Sequence, residues 1–270
     1  MHSSSRPLAL VTGASSGIGA ALARELAQHG HDLVLTARRV APMEALAAEL
    51  RSVGATATII AADLAKPGAA ATLAQDLASR GLEIEVLVNN AGLGALGRFD
   101  RMDFGRISEM LQVNIVALTE LTRLLLPGMV ARRRGRIMLV SSVAGFQPGP
   151  RMAVYFASKA YVSSFGEALA YELRRTGVTV TVLCPGATDT EFFTVAGAND
   201  SIMARRLRRM MPAADVARIG YQGLAAGRHL VIAGLMNTVL AFAGRFGPHR
   251  ISLPVTDMLN VSPGDQAANS

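Results

Sequence analysis

The stretch Leu8-Ala-Leu-Val-Thr-Gly-Ala-Ser-Ser-Gly-Ile-Gly-Ala20 decides how this chain is read. Its first four residues form an apolar, strand-like run. Thr12 to Gly19 carry three glycines, and Ala20-Ala-Leu-Ala-Arg-Glu-Leu-Ala27 continues with helical character. Strand, glycine turn and helix in that order present unpaired N–H groups and the positive end of a helix dipole to a phosphate. Gly13 permits the tight turn, Gly17 lets backbone approach the phosphate, and Gly19 allows close packing of helix on strand. Thr12, Ser15 and Ser16 offer hydroxyls, and Ile18 sits between the last two glycines. Three residues, not one, separate the first two glycines, so the spacing departs from the common G-x-G-x-x-G.

About twenty residues on, His31-Asp-Leu-Val-Leu-Thr-Ala-Arg-Arg39 reads as the second strand and its end. An acidic residue there accepts hydrogen bonds from an adenosine ribose. Here Arg38 and Arg39 follow Ala37 with no carboxylate, and a guanidinium suits a 2′-phosphate through charge-assisted bonds. The expected cofactor is NADP(H) in preference to NAD(H), with Arg38 on the phosphate. Arg39 is at least as well explained as a solvated turn residue.

Apolar strand-like runs at 7–12, 32–36, 57–61, 85–89, 136–141, 178–184 and 229–232 alternate with helical patterns at 17–29, 40–52, 68–80, 105–131 and 154–175. That alternation implies an α/β fold, a doubly wound parallel sheet of about seven strands with helices on both faces. Without an internal linker or repeat, one domain over 1–253 is expected, with 254–270 a loose polar tail. Residues 1–7 are too short and polar for a signal peptide. The lone Cys184 cannot form an internal disulfide, which fits a reducing cytoplasm, and Val180 to Leu183 beside it mark a buried strand end. The five histidines lack metal spacing, so no metal site is expected. A net charge of +7 and a pI near 10.4 raise nucleic-acid binding. The arginines are dispersed and no Trp is present to stack bases, so that class is set aside.

Tyr155 and Lys159 stand four apart, about one helical turn, with Ser142 thirteen residues upstream. A cation beside a phenol lowers its pKa toward neutrality. Lys66 and Lys159 are the only lysines, in a chain that otherwise takes its positive charge from arginine. A compact point charge beside Tyr155 is therefore a specific choice.

The ordered set Thr12-Gly-x3-Gly-x-Gly19, Asp63-Leu64, Asn89-Asn-Ala-Gly92, Asn114, Ser142, Tyr155-x3-Lys159 and Pro185-Gly186 ahead of Thr188 and Thr190 resembles the short-chain dehydrogenase/reductase family over roughly residues 7–232. The resemblance implies a Rossmann-like sheet and an oxidoreductase interconverting ketone and alcohol. It implies Asp63 and Leu64 at the adenine, and Asn90, Ala91 and Gly92 against the cofactor ribose. Thr188 and Thr190 would fall at the carboxamide, with Ser142 on the substrate oxygen and Tyr155 as acid–base. Lys159 would hold the nicotinamide ribose and lower the Tyr155 pKa. For Asn114, amid Met110-Leu-Gln-Val and Ile115-Val-Ala, either a water relay to Lys159 or a helix–helix hydrogen bond accounts for a buried amide. A homodimer or homotetramer through 105–131 and 154–175 is also implied.

Leu96, Phe99, Phe146, Met152, Phe192 and Phe193 flank the expected centre, so the expected substrate is lipophilic. Ile202 to Met211 places apolar and basic residues on opposing faces of a helix, in the manner of a mobile lid, an anchor for an anionic group such as a CoA phosphate, or a membrane-surface helix. The apolar stretch 231–250 covers the substrate entrance, joins subunits or touches lipid. A cofactor-binding sensor without turnover is the rival to an enzyme, and the complete Asn114, Ser142, Tyr155, Lys159 set argues against it.

Overall fold

A computed structural model describes residues 6–197 and 210–261. The first half runs β1 (Leu8–Thr12), α1 (Gly17–Gln28), β2 (Asp32–Ala37), α2 (Val40–Arg51), β3 (Ala57–Ala61), α3 (Ala69–Ser79) and β4 (Val86–Asn89). It continues with α4 (Phe104–Leu111), α5 (Leu118–Ala131), β5 (Gly135–Val140), α6 (Ala153–Leu173) and β6 (Val178–Cys184). After β7 (Thr188–Asp189) and α7 (Phe192–Val195) come β8 (Met211–Pro212), α8 (Ala213–Ala225), β9 (Leu230–Ile232), α9 (Leu235–Phe246) and α10 (His249–Asn260).

Seven strands pair in parallel in the order β3-β2-β1-β4-β5-β6-β9. Strand alternation splits the core into two layers. Ala9, Val11, Leu33 and Leu35 pack under α1, α2 and α8, while Leu10, Val34, Leu87 and Leu139 face α3, α5 and α6. Both faces are covered, which is why the strands read as continuous apolar runs rather than alternating ones. The order reverses between β1 and β4, so the loops at their carboxyl ends diverge and leave a crevice.

Three features depart from the sequence-based expectation. The helix expected at 105–131 is interrupted by a π-helical stretch, Gln112–Ala117, centred on Asn114. Residues 254–260, expected to be loose, form the second half of α10 despite Pro254. They are held because Asp257 pairs with Arg151 at 2.8 Å and Asn260 Nδ2 donates to the Pro150 carbonyl at 2.9 Å. β7 and β8 form a separate two-stranded ladder that no sequence pattern announced. Residues 262–270 and most of the 202–211 segment, including 202–209, lie outside the described residues.

Candidate active site

Thr12 ends β1 with its hydroxyl 3.2 Å from the Val88 carbonyl, to which it donates. The same oxygen accepts from the backbone N–H groups of Asn90 and Ala91, each at 3.0 Å. All its capacity goes into clamping β1 to β4, and the side chain is buried. Thr12 therefore builds the crevice rather than facing it, which corrects its expected role as a cofactor contact. Gly19 does the same by a different route. A Cβ there would run into the Gly13 carbonyl oxygen, so only glycine lets α1 seat this close to the turn. Gly13 and Gly17 have φ of +67° and +56°, a left-handed backbone that a side chain would strain. Gly19→Ala is expected to cost about 1–3 kcal/mol by overpacking and to weaken nucleotide binding. Urea unfolding and a nucleotide titration measure the two effects, and wild-type affinity in the variant would refute the account.

The other expected cofactor residues line one cavity of about 940 Å³. Its floor at one end is the loop Gly13, Ser15, Ser16, Gly17 and Ile18, with Arg38 on the rim and Asp63 and Leu64 beside it. Asn90, Ala91 and Gly92 form the middle, and Pro185, Gly186, Thr188 and Thr190 the opposite wall. Asp63 also accepts from the Ala65 N–H at 3.2 Å, so it shapes its own turn while facing the cavity. Arg39 is exposed at the turn between β2 and α2, as considered from sequence, and makes a surface ion pair there. Its guanidinium donates to Glu191 at 2.6 Å and to Ser16 at 3.1 Å, tying the glycine loop to the segment after β7. Arg38 is exposed and holds no side-chain bond among the described residues.

Ser142, Tyr155 and Lys159 meet in the centre of this cavity. Ser142 caps a short 3₁₀ turn, accepting from the Ala144 N–H at 3.1 Å. Ser141 points elsewhere, donating to the Lys159 carbonyl at 2.8 Å and sharing a bond with Ser163, so it supports α6 instead. Lys159 is buried and its Nζ donates to the Val140 carbonyl at 2.8 Å. Burial dominates both titrations. The Tyr155 phenol is pushed up to about 12, with the Ser142 hydrogen bond pulling weakly the other way. The Lys159 ammonium is pushed down to about 8. Burial, rather than the lysine expected from sequence, sets the direction of the Tyr155 shift. The ammonium, 5.9 Å from the Tyr155 ring centre, is turned to Val140. Cys184 is buried, and its thiol is raised to about 12 by burial, a packing residue without thiolate character.

Asn114 faces inward but not into the cavity. Its Oδ1 accepts from the Leu93 N–H at 2.8 Å, and its Nδ2 donates to the Leu93 carbonyl and the Ser158 hydroxyl, both at 2.9 Å. The helix–helix hydrogen bond considered from sequence is present, to Ser158 on α6. The amide pins the loop after β4 to α6, one residue from Lys159, and is a positioning group.

Of the apolar residues expected near the centre, Met152 and Phe192 line the cavity, and Phe192 lies 5.2 Å from the Tyr155 ring. Leu96 packs behind them. Phe99 is 64% exposed on a turn and Phe146 faces a separate shallow cleft, so neither is part of the site. The Phe193 side chain lies outside the described residues. The rest of the wall comes from α9 and α10, through Leu240, Ile251, Val255 and Leu259. Sequence pattern left the role of 231–250 open among three alternatives, and the fold places part of it over the cavity. Gln147, Asn237 and Thr256, also in the wall, went unnoticed because isolated polar residues leave no periodic trace.

The glycine turn, the Arg38 guanidinium and the Ser–Tyr–Lys cluster place this chain among nicotinamide-dependent oxidoreductases built on a doubly wound sheet. The family model for short chain dehydrogenase matches residues 7–200, and the chain belongs to that family. The 17-beta-hydroxysteroid dehydrogenase type 3 of Rattus norvegicus is 36% identical over 185 residues. Those residues are 67% of this chain and 60% of that protein, so the chain spans less than two thirds of that relative's length. A short-chain dehydrogenase from Sphingobium yanoikuyae, solved in complex with NADPH, is 35% identical with a TM-score of 0.78, covering 85% of this chain and 88% of that one. The bulky-bulky ketone specific alcohol dehydrogenase from Comamonas testosteroni is 31% identical with a TM-score of 0.75, covering 86% and 88% respectively.

Proposed function

We propose that this chain is an NADPH-preferring reductase of lipophilic ketones, with Tyr155 as proton donor. The observation that carries it is the junction in one cavity of a phosphate-shaped glycine loop, a Ser142–Tyr155–Lys159 cluster and an apolar wall. The residues fit the cofactor: Gly13 and Gly17 clear the backbone, the start of α1 supplies N–H donors, and Arg38 is a guanidinium with no other partner among the described residues. When bound, the cofactor supplies the hydride. Ser142 and Tyr155 are placed to hydrogen-bond one carbonyl oxygen, and the phenol gives that oxygen its proton as the alcohol forms. A phenol with a pKa near 12 is fully protonated at neutral pH, the form that reduction requires. Lys159, buried on the same helix face, would hold the nicotinamide ribose and reload the phenol. A substrate that is largely hydrocarbon suits Met152, Phe156, Phe192, Leu240 and Val255. The bulky-ketone and hydroxysteroid activities in the relatives' names support that substrate class.

Arg38→Ala separates the cofactor reading from a generic nucleotide site. Losing a charge-assisted pair costs about 1.5–3 kcal/mol, so NADPH affinity is expected to fall about 10- to 100-fold while NADH affinity stays nearly constant. Titrations of both nucleotides against both proteins read this directly, and an equal fall for the two would remove the NADPH preference. For the substrate, a panel of bulky lipophilic ketones and sugar ketones is scored by kcat/KM with NADPH. Preference for the sugars would end the lipophilic reading.

A further inference from the structure

Helix α9 carries its apolar residues on the wrong side for a helix facing water. Asn237, Ala241 and Gly244 face the protein, with Gly244 against Gln147. Outward stand Leu235 at 82% exposure, Phe246 at 74%, and Val239 and Phe242 at more than half. Phe242 and Phe246 stack 6.0 Å apart, so the ridge is continuous, and Ile251 at the start of α10 extends it. A surface helix normally turns polar residues outward, and an apolar ridge of this kind marks a contact surface.

We propose that the outward face of α9 and the start of α10 docks on an anionic lipid surface. Charge selects that occupant. From residue 229 to 256 there is no Asp or Glu, while His229, Arg245, His249 and Arg250 are present. Arg245 and Arg250 are exposed and carry no ion pair among the described residues, and Asp257, which follows, is already held by Arg151. Aromatic and leucine side chains on one face, flanked by arginines, match the apolar depth and negative headgroups of a bilayer interface. A second copy of the chain fits less well. A two-fold contact brings a patch against its own image, setting Arg245 and Arg250 against like charges with no carboxylate within the patch to answer them. Leu240, Ile251 and Val255 are exposed and also line the cavity, so the docked face adjoins the cavity mouth. A lipid-dissolved compound would then reach the site without crossing water. The docking itself does not rest on the reductase reading.

The test is co-sedimentation of the full chain, without nucleotide or substrate, with vesicles of phosphatidylcholine alone or mixed with phosphatidylserine. The wild type is expected to sediment with the mixed vesicles and to be released by salt. Phe242→Glu combined with Phe246→Glu removes two side chains that line no part of the cavity. It is expected to lower partitioning at least about tenfold while leaving the thermal midpoint and nucleotide titration unchanged. Arg245→Glu is expected to weaken binding to mixed vesicles only. No sedimentation by the wild type overturns the proposal, as does undiminished sedimentation of the double Phe variant. A double variant that changes oligomeric state in light scattering, with vesicle binding intact, assigns the face to a second copy instead.

Discussion

Tyr155→Phe is expected to bind NADPH as the wild type does and to lose about 10²–10⁴-fold in ketone turnover. The substitution removes one oxygen and leaves the ring, so the packing against Phe156 and Phe192 persists. What disappears is the proton that neutralises the developing alkoxide, and Ser142 alone cannot supply it without a base to reload it. Turnover by the variant within threefold of the wild type would refute the assignment. The pH dependence gives a second, independent reading. Burial holds the phenol near 12, so reduction, which uses the protonated form, is expected to be insensitive to this group from pH 6 to 9. Alcohol oxidation needs the phenolate, of which only about one part in 10⁵ exists at pH 7. Its rate is therefore expected to rise with pH across the same range. A flat profile for oxidation would mean that the phenol is shifted downward once ligands bind, as the sequence alone suggested.

That contrast shows where sequence reading reached and where it stopped. The strand runs were legible because every strand in a parallel sheet is apolar on both sides, a signal that survives without knowing the neighbours. The turn at Gly13 and Gly17 was legible because left-handed backbone beside a close approach leaves few residue choices. The titration of Tyr155 and Lys159 was not, since spacing places two groups on one helix face but says nothing of how much water is excluded. That exclusion comes from residues distant in sequence: Phe192 against the Tyr155 ring, and Gly92, Val140 and Cys184 around Lys159. The surface ion pair of Arg39 was not legible either, because its partner Glu191 lies 152 residues away. The hydroxyl of Thr12 and the amide of Asn114 show a third kind of limit. Both are at motif positions, yet their side chains are spent on tying elements together, so motif membership did not distinguish a lining residue from a supporting one.

Lys159 is expected to be the costliest residue in the site, and Lys159→Met reveals that cost. The variant should lose at least about 10²-fold in turnover, since the charge that reloads the phenol is gone. Its stability should move the other way. The ammonium drops from 10.5 to about 8 on folding because burial disfavours the charge, a penalty of about 3 kcal/mol. Below pH 8 both the folded and the unfolded chain carry the proton, so the wild type bears the whole penalty. Between about 8 and 10.5 the unfolded chain binds more protons than the folded one, so wild-type stability from this group rises with pH. Methionine has no such dependence. The variant's advantage over the wild type should thus be largest near pH 7 and shrink steadily as pH rises through 8 toward 10. Losing the bond to the Val140 carbonyl offsets part of the gain at every pH, so the slope is the decisive quantity. Urea unfolding of both ligand-free proteins from pH 7 to 9.5 measures it. A stability difference that stays constant over that range would mean that the lysine retains its ordinary affinity for the proton, with water or a carboxylate reaching it in solution.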